Sequence, residues 1–132
     1  MTTPKEWGTR DRLPSRRKSE TIKFNHRWPD DREQRFLATV GYYEDHRVGE
    51  IWLATDKTGM TLDVSVKDSA MIVSVGLQYG ATLEEFTNSF LRDPRGEPAG
   101  PIGTLIDILL ERRPALVSYL PRGYGNTYWI GE

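Results

Sequence analysis

Two histidines, His26 and His46, are the first candidates for proton transfer or metal ligation in a 132-residue chain that contains no cysteine. His26 is expected in a loop and His46 in a hairpin turn. Neither belongs to a metal-ligand motif, so both are read as solvated loop groups. Glu84 and Glu85 are helix neighbours about 100° apart, which prevents them from converging as an acid/base pair. Their expected role is as first-turn charges on the positive end of a helix. Glu50, followed by the apolar pair Ile51 and Trp52, is expected as a half-buried strand carboxylate that meets Lys57 or an arginine. The run Gly123-Tyr124-Gly125 lacks the third glycine of a dinucleotide loop, and no HExxH, GxSxG or phosphate-loop lysine pattern occurs. No catalytic residue, metal site or cofactor is therefore assigned, and the chain is expected not to be an enzyme.

Binding chemistry is better represented. Arg10, Arg12, Arg16, Arg17 and Lys18 form a basic arm that can neutralise phosphates with release of counterions, which makes nucleic acid one expected partner. Arg92, Arg95, Arg112 and Arg113, near helix ends, would extend that basic face if the fold brings them to the same side. Aromatic side chains supply contact area at low entropic cost. Tyr42 and Trp52 on the predicted hairpin and Tyr119, Tyr124, Tyr128 and Trp129 near the C-terminus are therefore interface candidates, for a protein partner or self-association as a homodimer. Gly100, Ile102 and Gly103 open a predicted helix whose N-terminal amides suit an anion, so nucleotide sensing is a third reading.

These residues need elements to position them. Residues 1 to 35 carry ten Lys/Arg against six Asp/Glu, and residues 36 to 132 carry eight against thirteen, so a basic arm precedes an acidic body. Residues 1–20 lack the aliphatic area to offset ordering entropy and are expected as a flexible arm. Thr21-Ile22-Lys23-Phe24 alternates as a half-buried strand does, before Trp28-Pro29-Asp30-Asp31 interrupts it. Phe36, Ala38, Val40 and Tyr42 recur at period two. With the run from Val48 they predict a hairpin around Glu44-Asp45-His46-Arg47.

Leu62, Val66, Ala70, Val73 and Leu77 form a helical stripe, with Asp63 and Lys67 as an i, i+4 pair on the exposed side and Gly80 as a left-handed cap. Thr82 and Glu85 are a capping box for a second helix. Pro101 starts a third that ends near Pro114, and a short strand is expected around Leu116 to Leu120. The predicted architecture is α+β: an antiparallel sheet of three strands at about 21–25, 35–43 and 48–55, covered on one face by helices at about 60–79, 82–91 and 101–112. One domain, 21–114, is expected between the arm and an aromatic tail at 115–132. The open sheet face is expected to be closed by that tail or by a second subunit. No apolar run approaches the ~20 residues of a membrane span, and the start carries no apolar signal core, so a cytoplasmic location is expected.

With these residues in place, VGEIWLATDKTG, then SAMIVSVGLQYGATLEEFTNSF and GEPAGPIG, resemble the TSCPD-type C-terminal domain of adenosylcobalamin-dependent ribonucleotide reductases and its small stand-alone relatives. The resemblance covers about residues 34–112, and RLPSRRKSETIKF resembles the lead-in of the stand-alone forms. It implies a compact α+β module with a regulatory or binding role beside nucleotide metabolism. The cysteine motif that names the domain is absent here, so no zinc or dithiol role carries over. Nor is there room in this chain for the reductase barrel, its radical cysteine or a cobalamin site. The reading that follows is a non-catalytic regulatory or protein-interaction module.

Overall fold

A computed structural model describes residues 9–55 and 61–119, with side chains through Arg112. Three strands, β1 (Ser19–Arg27), β2 (Glu33–Tyr42) and β3 (Val48–Thr55), are followed by α1 (Thr61–Gln78), α2 (Leu83–Ser89) and α3 (Pro101–Tyr119). The sheet is antiparallel in the order β1-β2-β3, and the helices pack against one face of it.

Strand alternation sets the two faces. Phe24, Phe36, Ala38, Val40, Tyr42, Ile51 and Leu53 point inward. There they meet Val66, Ala70, Val73 and Leu77 of α1 and Ile102, Leu105, Ile106 and Leu109 of α3. Helix α1 ends in a Schellman arrangement, with Ala81 N–H donating to the Gly76 carbonyl at 2.9 Å and Gly80 N–H to that of Leu77 at 3.0 Å. Gly80 has φ of 105°, a conformation costly for a side chain with a Cβ. The Thr82/Glu85 capping box opens α2 as the sequence predicts.

Two differences from the predicted elements have physical causes. β1 continues to Arg27, because antiparallel pairing with β2 carries the strand two residues beyond its predicted end at 25. Consequently His26 is a strand residue rather than a loop residue. α3 continues through Pro114 to Tyr119, so the strand expected at 116–120 is helix as far as Tyr119. A proline removes one hydrogen bond from the helical ladder and crowds the carbonyl four residues before it, so Pro114 weakens the helix at that turn without ending it.

Asp63 and Lys67 do pair, at 2.8 Å, but Asp63 is buried rather than on the exposed side. It accepts hydrogen bonds from the Thr55 N–H at 3.2 Å and hydroxyl at 3.3 Å. Farther along α1, Ser74 Oγ accepts from Ile51 N–H at 2.9 Å and donates to carbonyl oxygens, that of Ile51 at 3.0 Å among them. The Gln78 amide donates to the Gly49 carbonyl at 2.9 Å. The outer edge of β3 is thereby satisfied by side chains of a helix where another strand would otherwise add, which blocks edge-to-edge pairing. Replacing Ser74 by alanine strands both backbone groups of Ile51. It is expected to cost about 2 kcal/mol, read as a lower urea midpoint with unchanged m-value.

Candidate functional site

His26 is fully buried and ties three elements together. Its Nε2 lies 3.1 Å from the Ala99 carbonyl, which can only accept, so Nε2 carries a hydrogen, and burial favours the neutral ring. Nδ1 then accepts from the Thr104 hydroxyl at 2.8 Å. Burial lowers the His26 pKa below its ordinary value, against an opposing pull from its bond to Ala99 and the charge of Asp93. Trp28 packs edge-on against the ring with centroids 4.5 Å apart. The loop before α3 is thus anchored to β1. In the first turn of α3, a Cβ on Gly103 would stand 2.9 Å from Pro98 Cβ of that loop, so this glycine serves close packing.

Asp93 is buried and accepts from the backbone N–H of Arg95 at 2.9 Å and of Glu97 at 3.0 Å. The Arg95 guanidinium beside it, 2.7 Å away, holds the carboxyl below its ordinary pKa. Arg95 also reaches Asp31 in the turn between β1 and β2, at 2.9 Å. Arg92 binds Asp107, and Arg112 reaches Glu20 at 2.9 Å. The expected basic face from Arg92, Arg95 and Arg112 is therefore not formed, since each is committed to a carboxylate within the fold. The Arg113 side chain lies outside the described residues.

Arg10 and Arg17 of the arm also have partners. Arg10 Nε donates to the Gln78 side-chain oxygen at 2.6 Å, and Asp11 N–H donates to the Gln78 backbone carbonyl at 2.9 Å. Tyr43 hydroxyl donates to the Asp11 carbonyl. Arg17 pairs in a fork with Glu50, at 2.7 and 3.2 Å. Glu50 lies across Gly41 of the neighbouring strand, where a Cβ would come within 2.5 Å of its carboxylate oxygen. Arg12, Arg16 and Lys18 are exposed and make no ion pair among the described residues.

Of the aromatic candidates, Trp52 is 42% exposed on the open sheet face. Tyr42 is not an interface residue: it is in phase with Phe36, Ala38 and Val40 and points into the core. Its hydroxyl donates to Glu20 at 2.6 Å, and burial pushes its pKa up. Tyr119 closes α3 with its side chain outside the described residues; Tyr124, Tyr128 and Trp129 lie outside them altogether, as does Lys57. His46 occupies the hairpin turn with φ of 75°.

Gly100, Ile102 and Gly103 line a groove of about 370 Å³ between α1 and the start of α3. Val66, Phe90, Leu91 and Pro101 complete much of its apolar wall; among the described residues Ser65 and Ser69 are its only polar side chains and no basic residue lines it.

Sequence reasoning missed a different surface. Val64, Met71 and Ile72, at i, i+7 and i+8 on the outward side of α1, are 53%, 49% and 69% exposed, and Leu91 is 79% exposed. The signal was present in the sequence: apolar residues of α1 occur outside its core-facing stripe as well as within it.

Among the described residues no group of three His, Cys, Asp or Glu side chains is placed to hold a metal ion, and no helix is long and apolar enough to cross a membrane. Fold and anchors together define a small α+β module whose buried polar groups serve to fix its helices and loops on the sheet. In sequence, the chain resembles a short stretch of vitamin B12-dependent ribonucleotide reductases. It is 33% identical over 123 residues to the enzyme of that name from Rhodopirellula baltica, a match covering 93% of this chain and 11% of the relative. Against the Bradyrhizobium diazoefficiens reductase it is 38% identical over 96 residues, 70% of this chain and 7% of the relative. Against that of Streptomyces coelicolor it is 42% identical over 62 residues, 47% and 6% respectively. The chain thus spans about a tenth or less of the length of these relatives. No protein-family profile matches it, and no solved structure does.

Proposed function

We propose that this chain is a non-catalytic interaction module, akin to an accessory part of vitamin B12-dependent ribonucleotide reductases, that docks on a protein partner through the outward face of α1. The observation that carries this reading is the exposed stripe of Val64, Met71 and Ile72. A patch of that kind on a small domain marks a contact surface. The buried His26, Asp93 and Glu20 are spent on structural bonds, which supports a role in binding rather than turnover. The partner that the resemblance favours is a reductase catalytic chain.

The test is titration calorimetry of the purified chain against a reductase from which the matching stretch has been removed. Binding is expected, and the triple change Val64→Ala, Met71→Ala, Ile72→Ala is expected to weaken it at least tenfold while the fold persists, since alanine is the better helix former. Equal affinity of the triple variant contradicts the α1 surface, and nucleotide reduction by the isolated chain contradicts the non-catalytic reading.

A further inference from the structure

The sheet face opposite the helices is uncovered by any described element, and its residues are set by the strand register. Across its middle, Lys23 stands beside Leu37 and Leu37 beside Ala54, while Thr21 stands beside Thr39 and Thr39 beside Trp52. One pair farther along, Asn25 faces Arg35. Lys23 and Arg35 are exposed, make no ion pair among the described residues, and together border two shallow clefts of about 230 and 260 Å³. Among the described residues no carboxylate occupies these three rows; Asp56, which follows β3, lies outside them. The acids of this face sit at its ends, Glu50 under Arg17 and Glu33 opposite Arg27. Lys67, paired with Asp63, lies 6.0 Å from the centre of the Trp52 ring.

We propose that this face binds single-stranded nucleic acid, with a base stacked on Trp52 and phosphates held by Lys23 and Arg35. Charge decides the class of ligand: among the described residues the centre of the face offers Lys23 and Arg35 and no acid, so it suits a polyanion. The ring decides which polyanion. An exposed indole on a flat antiparallel face is a stacking platform for an unpaired base, whereas duplex bases are already stacked on one another. Strand spacing and rise place Trp52 and Lys23, two strands and one row apart, about 12 Å from each other, so one flexible strand can engage both. Thr21, Thr39 and Asn25 between them add donors and acceptors. The face is distinct from the α1 stripe, so the two surfaces can be tested separately.

Fluorescence anisotropy with a labelled oligothymidylate of about 15 nucleotides tests this at roughly 50 and 200 mM salt. Binding is expected to weaken as salt rises. Lys23→Glu with Arg35→Glu is expected to reduce affinity at least tenfold and, by removing two phosphate contacts, to lower the salt slope by about 1.4. Trp52→Ala is expected to cost on the order of tenfold with the slope unchanged. All three positions are exposed, and circular dichroism checks that the variants fold. The inference is overturned by an absence of binding at the lower salt, by competition from duplex DNA or polyglutamate equal to that from the single strand, or by full affinity in the sheet variants. In that last case, loss on changing Arg12, Arg16 and Lys18 to alanine would move the site to the arm.

Discussion

Replacing Arg112 by methionine is expected to lower the free energy of unfolding by about 3 kcal/mol, because it leaves the Glu20 carboxylate buried without its cation. Glu20 is 3% exposed, with Tyr42 hydroxyl at 2.6 Å on one oxygen and Arg112 at 2.9 Å on the other. Desolvating a carboxylate costs several kcal/mol, and one neutral donor offsets only part of that. For a domain of this size the thermal midpoint is expected to fall by about 10 °C. Tyr42→Phe removes a donor but keeps the ion pair, so its cost is expected to be only about 1 kcal/mol. The double change Glu20→Leu with Arg112→Met removes both charges, and is expected to recover most of the stability lost in the single Arg112 variant. If the double variant is as unstable as the single, buried charge is not what the pair compensates. Calorimetric melts of the four proteins decide this.

The second large effect is at His26. His26→Leu is expected to destabilise the fold by about 3 kcal/mol, since the Ala99 carbonyl loses its donor and the Thr104 hydroxyl its acceptor inside the core. It is also expected to change how stability depends on pH, which simple loss of packing would not. In the unfolded chain the imidazole takes up a proton at about pH 6.5, while in the fold its pKa is lower because the charged ring would be buried. Between those two values the unfolded state binds more protons, so stability rises with pH. The contribution is complete above about pH 6.5 and is lost as pH falls through the folded value. Asp30, Asp31, Asp45 and Asp93 are all held below their ordinary values near 3.8, so their loss comes at lower pH. Urea midpoints measured from about pH 7 to 5 are therefore expected to decline in the wild type and to stay flat in His26→Leu. A parallel decline in both proteins would assign the slope to other groups.

His26 also shows where a sequence is hard to read. Glu20, Ile22, Phe24 and His26 alternate in phase, yet only Ile22 and Phe24 carry an apolar signal. The polar members look like solvent-facing residues until their partners are known. Those partners, Arg112 and Thr104, lie 92 and 78 positions away in the chain. Tyr42 is the opposite case. Its phase with Phe36, Ala38 and Val40 already placed it in the core, and its value as a contact aromatic concealed that. On α1, Asp63, Ser74 and Gln78 read as ordinary helix-surface residues because nothing local reveals that an unpaired strand edge lies beside them.

By itself the sequence determined the elements whose causes are local. The α2 capping box needs two residues three apart, the α1 cap needs glycine at positive φ, and strand alternation divides the sheet into an inner and an outer face. It also determined the resemblance to a short stretch of the reductases, which rests on the order of residues along the chain. Tertiary structure alone decided which polar groups are spent on holding the fold and which remain on the surface. That choice set Arg10, Arg17, Arg92, Arg95 and Arg112 against partners and left Lys23 and Arg35 exposed on the same sheet face as Trp52. The physical reason is that desolvation and ion pairing depend on distance in space, and the neighbours that fix them are brought together only when the sheet and helices close on one another.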